Sequence, residues 1–163
     1  MTHEYVIALR GAVLGTGAAA GAVPTAVAWA ADRVLAVGSD DAVRAISRGD
    51  STFVDLAGGA VTPAPEHVVA AERLVRAAVA AGHPFDAVAL LAGAGLLAPD
   101  TRVEVGAPAD LAVWSADPGT VPPSGAASVR IVAVVRAGAF TAGDEHTGPF
   151  ARLPGTARGP AGG

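Results

Sequence analysis

The sequence predicts a mainly β fold carrying an α-helical insertion, an α+β arrangement, and three observations predict it. Residues 4–62 and 101–142 are strand-like, with short Val, Ile and Ala runs punctuated by Gly and Pro. Residues 65–98, between them, carry helical periodicity. The length, 163 residues, suits one domain and is too short for a complete β/α barrel, which takes roughly 250. The domain is expected over residues 1–143, with 144–163 as a flexible tail rich in Gly, Pro and Arg.

Each element has its own signal. Tyr5 to Leu14 is rich in Val, Ile and Leu and runs into the turn residues Gly15-Thr16-Gly17, so one strand is predicted there. Thr25 to Trp29 and Arg33 to Val37 flank Ala30-Ala31-Asp32 and read as a hairpin. Ser39 and Asp40 are natural N-caps for a short helix over Asp41 to Ser47. Thr52 to Leu56 is the next strand, closed by Gly58-Gly59, and Val61-Thr62 is a short one stopped by Pro63.

Pro65 suits a first helical position, and Val68, Ala71, Val75 and Val79 share one helix face. Glu72 and Arg76 form an i,i+4 ion pair predicted for the opposite face, and Gly82 ends the helix. A second helix begins at Pro84 with Asp86 in its first turn, runs through Leu91 and weakens at Gly93-Ala94-Gly95. Strands return over Arg102 to Val105, Asp110 to Trp114, Val129 to Arg136 and Ala139 to Thr141. Gly106 to Ala109 and Gly138 supply turns, and Asp117 to Ala127 is a loop. The order strands, helix pair, strands implies that the two strand zones pair with each other around a helical excursion.

Composition narrows the chemistry. Hydrophobic residues make up 52% against 16% charged, enough to bury a core, and only 4% are aromatic, so many small Val, Leu and Ala contacts must build it. The net charge is −4 and all 11 basic residues are scattered arginines, a poor match to a nucleic-acid backbone. Cys, Lys, Asn and Gln are absent from the sequence, which removes thiolate ligands, Schiff-base lysines and amide oxyanion donors. Residues 11–31 carry no charge and end in Ala-Trp-Ala-Ala, but Glu4 offsets Arg10 and glycines and Pro24 interrupt the run. A secretory signal or membrane span is therefore not expected, and the chain is placed in the cytoplasm.

Several stretches resemble the metal-dependent amidohydrolases, the superfamily of imidazolonepropionase and dihydroorotase. Thr25 to Ser47 (TAVAWAADRVLAVGSDDAVRAIS) and Val54 to Ala64 (VDLAGGAVTPA) are similar to the family's opening, and Ile131 to Gly143 to its last hairpin. The most specific match is Val-Gly-Ala-Pro-Ala-Asp-Leu at 105–111, within a segment running from Arg102 to Pro118. In that family, N- and C-terminal strands combine into a composite-domain β-sandwich beside the catalytic barrel. The resemblance implies that sandwich here, formed by the two strand zones with a helical hairpin between them. It also implies that Asp110 ties a turn to a strand and has no chemical role.

The barrel and its metal ligands have no counterpart. Where the family has two histidines on its first barrel strand, this chain reads Pro63-Ala64-Pro65-Glu66-His67-Val68-Val69, so His67 is at most a relic ligand. His3, His67, His83 and His146 are too widely spaced for a zinc site, and neither metal nor cofactor is expected. His83, between Gly82 and Pro84, is expected to cap the first helix. Gly15 to Gly21 has the wrong spacing for a dinucleotide loop, and Pro24 blocks the helix such a loop requires. Ser39-Asp40-Asp41 reads as a helix cap, and Asp144-Glu145-His146 as a solvated charge patch.

The expected role is therefore non-catalytic: structural, scaffolding or regulatory, with no catalytic residue assigned. The surface left by the missing barrel is expected to recruit a second copy of the chain or another protein partner. Two other readings stay open. One is a metal-dependent hydrolase of non-peptide carbon–nitrogen bonds whose site a partner chain completes. The other is a small-ligand-binding module with a pocket between strands and helices.

Overall fold

The computed structural model describes residues 5–16, 23–47, 51–98 and 100–143. The strands are β1 (Val6–Leu9), β2 (Ala12–Val13), β3 (Ala26–Ala30), β4 (Arg33–Gly38), β5 (Thr52–Asp55), β6 (Ala60–Pro63), β7 (Leu111–Trp114), β8 (Ile131–Arg136) and β9 (Ala139–Gly143). Three α-helices accompany them: α1 (Asp40–Arg44), α2 (Val68–Ala81) and α3 (Ala87–Gly93). The fold is thus mostly strands with few helices, in two open sheets ordered β4-β3-β1-β5 and β2-β6-β7-β8-β9. The expected tail, 144–163, lies outside the described residues.

The strand predicted over Tyr5 to Leu14 is two strands in different sheets. Arg10 takes a left-handed conformation (φ 64°) and Gly11 gives its N–H to the Thr25 carbonyl, so the chain turns out of the first sheet and into the second. A Cβ at Gly11 would press on the Leu56 side chain, which is why glycine stands at the crossing. The 55–60 segment makes the same passage beside it, from β5 into β6 through Ala57 (φ 51°) and Gly58 (φ 83°). The two crossings are tied together by Gly58 N–H to Arg10 O and Ala12 N–H to Gly59 O, each 2.9 Å. Consequently β1 runs parallel to β5, and β2 parallel to β6.

Between the sheets lies a core to which both contribute: Val27, Trp29, Val34 and Val54 from the first, Val61, Leu111, Val113 and Val135 from the second. The outer face of the second sheet is covered by α2, α3 and a 3-10 helix at Pro123–Ser128, which bury Ala71, Val75, Val79, Leu91 and Ala126 against Trp114 and Val134. The outer face of the first sheet carries α1, whose Val43 packs among Ile7, Leu9, Ala26 and Ala28. Small side chains dominate, as expected from the composition. Even so, each of the two larger clusters contains one tryptophan that is almost fully buried, Trp29 between the sheets and Trp114 under the helices.

The strand zones do pair around the helices. β6, which leads into α2, lies antiparallel to β7, which follows α3, with Ala60 opposite Trp114 and Pro63 opposite Leu111. The β3–β4 hairpin forms as predicted, turning through Ala31 (φ 52°). Arg102 to Val105 is not a strand. It is a crossing segment held by Val103 N–H to Gly15 O, with Val103 buried in the core between the sheets. The loop expected over 117–127 contains the 3-10 helix, started by Pro123. The first long helix begins at Val68 rather than Pro65, because His67 is still extended (φ −122°, ψ 100°). No helix among the described residues is long and apolar enough to cross a membrane.

Candidate functional site

His67, the one relic metal-ligand candidate, stands at the N-cap of α2 and is exposed, with no hydrogen bond from its side chain to the helix. His83 lies beyond the opposite end of the same helix, so the fold separates these two histidines by the length of α2. His3 and His146 are outside the described residues, as are Asp144 and Glu145. Among the described residues no group of three or more His, Asp or Glu is arranged to hold a metal ion.

The other singled-out polar residues have structural partners. Ser39 caps α1 through its Oγ, which accepts from Ala42 N–H at 3.2 Å. Asp40 does not cap; its Oδ1 accepts from the Thr25 hydroxyl (2.8 Å) and from Arg10 N–H (3.1 Å), which pins the sheet crossing to the start of α1. Asp86 is the N-cap of α3 rather than a first-turn residue, accepting from Val88 and Ala89 N–H. Asp110 Oδ1 accepts from Ala137 N–H at 2.7 Å, fastening the β8–β9 turn to the start of β7. Gly15 has φ 77°, and its carbonyl accepts from Val103 N–H; Gly17 and Gly21 lie outside the described residues.

The Glu72–Arg76 ion pair forms at i,i+4 as expected, but it is partly buried on the flank of α2 rather than on the face opposite Val75 and Val79. Its side chains are 17% and 30% exposed, and the two ions lie 3.8 Å apart. Glu72 Oε2 accepts from Ile131 N–H at 2.6 Å, and Arg76 Nη1 donates to Val129 O at 3.2 Å. Glu72 and Arg76 therefore lie on the flank beside Val75 and Val79 and reach the segment that leads into β8, while the opposite face, with Arg73, Ala77 and Ala80 exposed, is the one that meets water. Periodicity alone hides this, because α2 has neighbours on two sides.

A pocket of about 200 Å³ lies at the C-terminal end of α2. Val79, His83, Pro84, Phe85, Val121 and Pro123 are among the residues that line it. Gly82 ends α2 with its backbone (φ 79°, N–H to Val79 O), so the expected capping by His83 is not what closes the helix. That leaves His83 exposed beside this hollow. No helix or strand pattern marks this place in the sequence, because Pro84, Phe85, Val121 and Pro123 come from non-periodic segments. A second, more polar cleft of about 450 Å³ lies along Asp100, Thr101, Arg102, Glu104 and Asp110. Asp110 is already engaged there by the turn at Ala137.

Compared with protein-family models, with curated proteins and with solved structures, the chain finds no match in any of the three.

Proposed function

We propose that this chain is a β-sandwich of the composite type, amidohydrolase-like and without a barrel, and that it serves a non-catalytic scaffolding or regulatory role. The observation that carries the reading is the pairing of β6 with β7 beneath α2 and α3. The strands that would lead into and out of a barrel are neighbours in one sheet, and a helical hairpin occupies the excursion between them. The resemblance at residues 105–111 supports the same reading, because Asp110 ties the last hairpin to β7 as that resemblance implies. The helices also seal the outer face of the second sheet, so the domain closes its own core without a barrel.

A scaffolding role requires a partner, and the simplest is a second copy of the chain. The cytoplasm is the proposed compartment. Cleavage before Ala31 would delete β1, β2 and β3, and with them half of the first sheet, which supports retention of residues 11–31. The test is light scattering on the purified full chain at micromolar concentration. A dimer, or a stable complex with one co-purified protein, is expected, and a lone monomer over the whole range contradicts the scaffolding role.

The pocket at His83 and Phe85 favours a second reading, a module that binds a small apolar ligand bearing one hydrogen-bonding group. A thermal-shift screen separates the two. A compound that raises the melting temperature of the native chain but not of His83→Ala supports ligand binding.

A further inference from the structure

We propose that β5 is the edge through which two copies of this chain associate, pairing antiparallel about a twofold axis to join their first sheets. The inference rests on the self-association proposed above and names its surface. Among the described residues, the other strand edges are covered or irregular. The outer side of β4 exchanges hydrogen bonds with the 104–108 turn, through Val34 N–H to Ala107 O and Gly106 N–H to Val34 O. The outer side of β2 is taken by Pro24, whose carbonyl accepts from Val13 N–H, and by Thr25. The β8–β9 ladder shifts register between Val134 and Val135, and such a bulge disfavours adding another strand.

β5 differs on each count. Its register with β1 is unbroken from Val6–Thr52 to Leu9–Asp55. Thr52 and Leu56 give their N–H groups to β1-side carbonyls, so by alternation Phe53 and Asp55 turn their backbone donors and acceptors outward. Phe53 is 39% exposed, on the face that α1 covers over β3, β4 and β1. The charge that β5 carries, Asp55, is paired by Arg10, and Phe53 adds an apolar ring beside it.

The edge is also self-complementary. With Val54 on the twofold axis, Phe53 of one copy stands opposite Asp55 of the other, and each such pair exchanges both backbone hydrogen bonds. The two Phe53 rings then lie on the diagonal, within reach of each other. Each also approaches the Arg10–Asp55 ion pair of the facing copy, where the 67% exposed guanidinium offers a cation–π contact. The interface is small, so association is expected in the micromolar range rather than the nanomolar.

Sedimentation equilibrium of the full chain tests this with three variants. Phe53→Lys places a charge on the edge, and Phe53→Pro removes an N–H that points away from β1. Val105→Lys alters a more exposed apolar residue far from β5 in the sequence and outside any strand. The native chain and Val105→Lys are expected to dimerise alike. Both Phe53 variants are expected to weaken association by at least about tenfold while keeping the native far-ultraviolet circular dichroism. A native dimer that persists undiminished in both Phe53 variants overturns the β5 edge and leaves self-association standing. A native chain that never dimerises overturns both.

Discussion

Gly138 sits against Ala31 so closely that a Cβ at position 138 would run into the Ala31 carbonyl oxygen. The two residues belong to the tips of different hairpins, β8–β9 in one sheet and β3–β4 in the other. The Gly138 carbonyl accepts from Trp29 Nε1 at 3.1 Å, and Gly138 N–H donates to Ala109 O at 3.0 Å. Backbone contact between the hairpin tips thus links the sheets at one end of the molecule, as the paired crossings at Arg10 and Gly58 link them elsewhere.

Gly138→Ala is expected to destabilise the fold by about 3 kcal/mol, since it combines a left-handed φ of 84° with a collision against backbone that cannot rotate away. Gly58→Ala is the matched control. Gly58 has φ 83° but nothing within 4 Å of an added Cβ, so the expected cost is the conformational one alone, about 1 kcal/mol. Urea unfolding of both variants compares them; equal losses contradict the close approach of the two tips.

Asp110→Ala is expected to cost about 1–2 kcal/mol by leaving the Ala137 N–H without its acceptor. Asp110→Asn keeps a carbonyl oxygen at the same place and is expected to recover part of that loss. Chemical denaturation distinguishes the pair, and an Ala variant as stable as the native chain removes Asp110 from the structural account.

Thr62→Val is expected to cost about 1–3 kcal/mol. Trp114 Nε1 donates to Thr62 Oγ1 at 3.0 Å inside a buried cluster, and the hydroxyl passes its own hydrogen to Pro63 O at 2.9 Å. Valine has a similar shape and leaves the indole N–H unsatisfied under α2. Because both tryptophans are buried, their fluorescence reports unfolding, and an unchanged midpoint contradicts the bond.

A double-mutant cycle on Glu72 and Arg76 measures the partly buried pair. Glu72→Ala is expected to cost about 1–3 kcal/mol through the lost charge-assisted bond to Ile131 N–H, and the two substitutions together less than the sum of each alone. Strict additivity would place the pair on an ordinary solvent face.

Much of this organisation is legible in the sequence because its signals are local. Alternating apolar runs bounded by Gly and Pro give the β3–β4 hairpin, β5 and β7, and Ser39, Gly82 and Asp86 mark helix ends through their caps. Sheet membership is not local. Tyr5 to Leu14 looks like one apolar strand, and its division depends on Arg10 reaching Asp40, thirty positions away. The strand predicted at Arg102 to Val105 fails for a related reason: its apolar residues alternate, but Val105 is exposed and no neighbouring strand is available beyond the contact at Gly15. The pocket beside His83 is invisible to periodicity because two separate proline-bearing loops assemble it.

The proposed reading is a domain that closes without a barrel and without the barrel's metal chemistry. Elemental analysis of the full chain, purified from medium supplied with zinc, manganese and iron, tests it most directly. No stoichiometric metal is expected in the native protein, and none in His67→Ala. Stoichiometric metal that is lost in His67→Ala would contradict it and make His67 a working ligand.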